Sequence, residues 1–108
     1  MPGVDVKSLT RDQTQWEAMD NDPLRYHGGT KAGMGWLMLR ECKVLQENLN
    51  QITLPILVLQ GGNDKILDPK GARMLYQESS SADKAYKEYP GAYHQLLIEY
   101  KNRFYLAD

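Results

Sequence analysis

The chain has 108 residues, a length that suits one domain or part of one, and its 42% hydrophobic and 25% charged residues are ordinary globular values that exclude wholesale disorder. Thirteen Lys and Arg against fourteen Asp and Glu leave a formal net charge of −1, and no basic run marks a nucleic-acid footprint. A single cysteine, Cys42, permits no internal disulfide and fits a reducing, cytoplasmic setting. The opening "PGVDVKSLTRDQ" has no apolar core and does not read as a signal peptide, and no apolar stretch approaches the roughly 20 residues of a membrane span.

In chain order, residues 1–33 are polar and read as turns and loop, "NDPLRYHGGTKAG" above all. Residues 34–50 are expected to be helical. Met34, Met38, Cys42, Leu45 and Leu49 recur at steps of three or four, which puts them on one face. Cys42 is expected to be buried on that inner face. Met34, Trp36, Leu37 and Met38 read as a helix face packed against a core, with contact to a membrane surface as the alternative.

Residues 54–60 form the first predicted strand, with Pro55 at its opening where no ladder bond is needed. Asp68 followed by Pro69 is an N-cap and first-turn signal for a helix that ends in "SSS". "KAYKEY", residues 84–89, alternates and reads as a half-polar strand near a sheet margin. "PG" turns the chain, and residues 94–105 are predicted as a final helix. The fold class is therefore α/β, with helices followed by a βαβ unit of parallel strands and a C-terminal helix. A run such as "ILVL" is apolar on both alternating faces and asks for strands on each side and helices above and below. The chain offers too few of either, so it reads as one end of a larger sheet.

Ligands and catalytic groups in parallel α/β sheets lie beyond the carboxyl ends of the strands. Asp64 and His94 both fall there. A carboxylate that holds an imidazole is the supporting half of a hydrolytic triad. From pattern alone, "GND" is also an ordinary turn whose Asp bonds its own backbone, and His94 could be a surface residue after a turn. Asp68 is the competing acid, but capping accounts for it. No zinc spacing, phosphate loop or dinucleotide fingerprint occurs, so neither a cofactor nor a metal is expected.

The stretches "NDPL", "ITLPILVLQGGNDKILDPKGARMLYQ" and "DKAYKEYPGAYHQLLIE" resemble the monoacylglycerol lipase and lysophospholipase family of serine α/β-hydrolases. That family carries "LP-[apolar strand]-GxxDxxxDPxG" around its catalytic acid and "Y-x-G-x-YH-x-x-x-x-E" around its catalytic histidine. The resemblance runs from about Val4 to about Glu99 and covers roughly the last third of a typical member. It implies a partial α/β-hydrolase fold, with residues 1–50 as a cap-like region and 51–108 as the C-terminal part of the core. It also implies Asp64 and His94 as catalytic residues, ester hydrolysis through an acyl-serine, and no cofactor. Poxvirus genomes are one setting in which shortened copies of such genes are expected.

The family nucleophile is missing from the sequence. No G-x-S-x-G occurs, and the serines are Ser8, Ser79, Ser80 and Ser81, none flanked by elbow glycines. "HGG" at residues 27–29 imitates an oxyanion loop but lies in the cap-like part. The expectation is a truncated hydrolase, inactive alone. The alternatives are one subunit of a split hydrolase, completed by a second chain supplying the N-terminal half, or a non-enzymatic interaction module. A lipid ester held by the cap, a location peripheral to membranes and self-association through the sheet edge are further expectations.

Overall fold

The computed structural model describes residues 3–99. Two parallel strands form its sheet, β1 (Ile56–Gly61) and β2 (Lys84–Tyr89), paired in register from Ile56 opposite Lys84 to Gly61 opposite Tyr89. A helix, labelled α3 below (Pro69–Glu78), connects them, which gives the βαβ unit expected from the pattern. Asp68 caps it: a carboxylate oxygen accepts from the Lys70 amide at 2.9 Å, and Pro69 follows at the first helical position. At the other end the Lys84 ammonium donates to the carbonyls of Tyr76 and Ser79, groups the last helical turn leaves unbonded. Asp68→Ala should lower stability by about 1 kcal/mol in urea unfolding, the usual cost of losing such a cap, while leaving the Asp64–His94 contact intact.

Before the sheet come two further helices, α1 (Thr14–Asp20) and α2 (Ala32–Glu47), and a short 3-10 turn at Val6–Ser8. Helix α1 corrects the reading of residues 1–33 as loop alone. None of its residues is buried, so it leaves no apolar period in the sequence. Helix α2 forms where expected, but its side chains do not pack as expected. Only Gly35 is buried within it, and Met34, Met38 and Leu45 are each more than half exposed. Cys42 is exposed too, which overturns its placement in the core. The periodicity marked a true helical face, but an open groove of about 600 Å³ separates it from α3.

Among the described residues the buried apolar ones are Val6, Leu9, Leu49, Val58, Tyr89 and Ala92, a small set drawn from the start, the middle and the end of the described segment. On β1 the expected two-sided burial is half met: Val58 is buried, but Leu57 and Leu59 are 67% and 46% exposed. That mismatch between an apolar strand and its solvent-facing side is what a piece of a larger sheet presents. Residues 94–99 do not form the start of the expected final helix: only a 3-10 turn occurs, at Leu96–Ile98, and Glu99 after it is extended, while residues 100–105 of that expectation lie outside the described residues. No helix among the described residues is long and apolar enough to cross a membrane.

Candidate active site

Because the strands are parallel, the loops that follow them leave the sheet at the same end. They are stitched together by backbone. The Gly62 amide donates to the Tyr89 carbonyl at 2.9 Å, and the Asn63 amide donates to the Ala92 carbonyl at 3.0 Å. Gly61 permits this approach: a Cβ there would lie 2.1 Å from the Tyr93 carbonyl oxygen. Gly91 turns the second loop with φ of 78°, a conformation side chains disfavour.

These loops bring Asp64 and His94 into contact. His94 Nδ1 lies 2.8 Å from Asp64 Oδ2. The carboxylate is almost fully buried, with 3% of its side chain exposed, and the imidazole is 31% exposed. Every acceptor position of Asp64 is engaged. Oδ1 accepts from the Ile66 and Leu67 amides at 2.8 and 3.0 Å, and Oδ2 also accepts from the Gln60 side chain at 3.1 Å. Since an ionised carboxylate only accepts, Nδ1 must carry the proton in this contact, and neutral His94 then presents Nε2 as its acceptor.

Burial pushes the Asp64 carboxyl upward, but the hydrogen bonds from His94, the Leu67 and Ile66 amides and Gln60 outweigh it and hold the group below its ordinary 3.8. A folded-state pKa below the unfolded one stabilises the fold fully above the unfolded value and loses that stabilisation as pH falls through the folded one. The urea midpoint should therefore change little through this group above about pH 5 and decline at lower pH. In Asp64→Asn that part of the acid dependence should vanish. A decline of equal size in the variant would contradict the assignment.

The other residues considered in the sequence are elsewhere. Asp68 is occupied in its cap. His27 and Gly28 line a separate cavity with Val4, Asp20 and Arg25. Ser79, Ser80 and Ser81 precede β2, about 20 Å of strand from the His94 end. Their hydroxyls bond the carbonyls of Tyr76, Asn50 and Ile52. Among the described residues no serine hydroxyl bonds His94, and no group of three or more His, Cys, Asp or Glu side chains converges as a metal site requires. Gln60 was not singled out in the sequence, although a lone amide ending an apolar strand beside the acid was the available signal.

The family model described as serine aminopeptidase, S33, matches residues 1–101. The chain belongs to that family. Rat monoglyceride lipase is 38% identical over 96 residues, which are 89% of this chain and 32% of that protein. Caffeoylshikimate esterase of Arabidopsis thaliana is 33% identical over 92 residues, 85% of this chain and 28% of that one. A monoglyceride lipase homolog of Monkeypox virus is 31% identical over 93 residues, 86% of this chain and 33% of that one. The crystal structure of Paleococcus ferrophilus monoacylglycerol lipase superposes with a TM-score of 0.87 at 28% identity, covering 97% of this chain and 41% of that one. The fold of this serine aminopeptidase family member is thus part of an α/β-hydrolase. The chain spans about a third of the length of the curated relatives it matches.

Proposed function

We propose that these 108 residues are the acid–histidine portion of a monoacylglycerol-lipase-like serine hydrolase, catalytically silent by themselves. Asp64 orients His94, and His94 is the general base for a serine supplied by sequence outside them. The carrying observation is the 2.8 Å contact between His94 Nδ1 and Asp64 Oδ2 in a chain without G-x-S-x-G. In such a site the imidazole takes the serine proton through Nε2 and returns it to the leaving alcohol, while the carboxylate stabilises the imidazolium that forms between the two steps. Half of the oxyanion hole is the amide after the nucleophile, so the missing segment would bring that donor too. The substrate class proposed is a glycerol or lysophospholipid ester, by likeness to the monoglyceride lipases. Residues 1–50 are assigned as the cap and 51–108 as the C-terminal part of the core.

The nucleophile-bearing segment is proposed to sit against β1. Leu57 and Leu59 are exposed there and β1 pairs only with β2 among the described residues, which favours completion by a further strand over an inert remnant. The test is ester turnover. The purified chain should hydrolyse a monoacylglycerol and a simple aryl ester at the buffer rate. Co-expression with the part of a monoglyceride lipase that precedes the matched region should produce turnover. Hydrolysis by the chain alone that is lost in His94→Ala would overturn the proposal.

A further inference from the structure

A buried carboxylate outside the Asp64–His94 pair brackets the histidine from behind. Glu99 has a side chain with no exposed surface. Its Oε1 accepts from the Thr10 hydroxyl at 3.0 Å and from the Arg11 amide at 2.8 Å. Its Oε2 accepts from the Tyr93 amide, the residue immediately before His94, and lies 3.3 Å from Arg11 Nε. On the other side of His94 the Gln95 amide donates to the Leu9 carbonyl at 2.9 Å. Both neighbours of the histidine are therefore tied, one through Glu99 and one directly, to the same segment, residues 9–11. That segment is itself fixed. Thr10 is fully buried, its single hydroxyl proton is shared between Glu99 and the Ile98 carbonyl, each at 3.0 Å, and Trp16 Nε1 donates to the Thr10 carbonyl at 3.0 Å.

We propose that Glu99 is a positioning residue for His94: its carboxylate clamps the Tyr93 amide to residues 9–11, so that the N-terminal segment sets where the imidazole meets Asp64. Two observations favour positioning over plain stabilisation. Removing a carboxylate from water is costly, and a packed apolar side chain of similar volume often stabilises a fold as well or better. One of the bonds that offset that cost holds the amide next to the histidine, and the others fix that amide's acceptor to residues 10 and 11. The oxygen count makes the clamp specific to a carboxylate. The two acceptor oxygens divide the work: Oε1 takes the Thr10 hydroxyl and the Arg11 amide, and Oε2 takes the Tyr93 amide beside the Arg11 guanidinium. An amide has only one acceptor oxygen, so one of the two sets of bonds must be lost.

The catalytic meaning of this clamp rests on the hydrolase proposal, but its test requires no turnover. In the full chain labelled with 15N-histidine, the His94 ring nitrogens report which tautomer is populated. With the ring neutral, the unaltered chain should hold the Nδ1–H form, and Asp64→Asn should abolish that preference. Glu99→Gln, folded by circular dichroism, should lower the Nδ1–H to Nε2–H ratio by about tenfold or more, the effect of weakening one charge-assisted hydrogen bond. Glu88→Gln, which alters the Arg73 pair on the sheet instead, should leave the ratio unchanged. If Glu99→Gln does not fold, Thr10→Val removes one donor to the clamp and should shift the ratio in the same direction. A folded variant of either kind that melts earlier but keeps the parent ratio would overturn the positioning role. That result would leave the hydrolase proposal intact. Absence of turnover in the completed enzyme would instead sink the hydrolase proposal and leave the clamp standing.

Discussion

Replacing His94 with alanine in the completed enzyme should lower kcat by about 10⁴-fold or more, with little change in KM. The effect is this large because His94 is proposed to perform two proton transfers. It must first take the serine proton and then deliver it to the leaving alcohol. An alanine leaves only the oxyanion hole and substrate binding to act on the ester. Asp64→Asn should cost about 10⁴-fold by a different route. The asparagine amide can present an N–H to Nδ1, which favours the opposite tautomer and leaves Nε2 protonated toward the serine. The contact at 2.8 Å and the near-complete burial of Asp64 leave no room for water to take over that role. Steady-state kinetics on the co-expressed pair measure both. A fall of less than tenfold for His94→Ala would show that the histidine is not the base.

Gly61→Ala should be among the most damaging single-methyl changes, costing roughly 3 kcal/mol. A Cβ at residue 61 would lie 2.1 Å from the Tyr93 carbonyl oxygen, 2.6 Å from that of Ala92 and 3.0 Å from the Ala92 carbonyl carbon. All three are backbone atoms, so no side chain can swing aside to make room. The loop after β2 must move away, and His94 with it. In a fold with so few buried apolar side chains, a loss of that size is a large part of the whole stability. Gly71→Ala is the contrasting case. It lies inside α3 with nothing within 4 Å of an added Cβ, so alanine should raise stability by roughly 0.5–1 kcal/mol. Urea unfolding of the two variants separates a steric argument from a general intolerance of alanine.

Strand direction alone put Asp64 and His94 at one end of the sheet but left an ordinary turn and a surface histidine open, and the motifs resembling the hydrolase family singled the pair out. An acid after one strand and a histidine after the other then have a geometric reason to meet. The cap at Asp68 was legible for a local reason, since Asp followed by Pro states both its hydrogen bond and its φ. Helix α1 was not legible because it buries nothing, so no apolar period records it. Cys42 and its neighbours on α2 had the right period, but periodicity fixes which residues share a face and not whether anything covers that face. Thr10 was invisible for a different reason. Its importance comes from a hydrogen bond to Glu99, 89 residues away, and no local pattern encodes a contact of that span.

Fluorophosphonate labelling with peptide mapping tests the division of labour most directly. In the chain alone, Ser8, Ser79, Ser80 and Ser81 should all remain unlabelled. In the co-expressed pair the label should fall on the G-x-S-x-G serine of the added segment and should disappear when His94 is alanine. A label on any serine of this chain that depends on His94, or labelling of the added segment that ignores His94→Ala, would contradict the account.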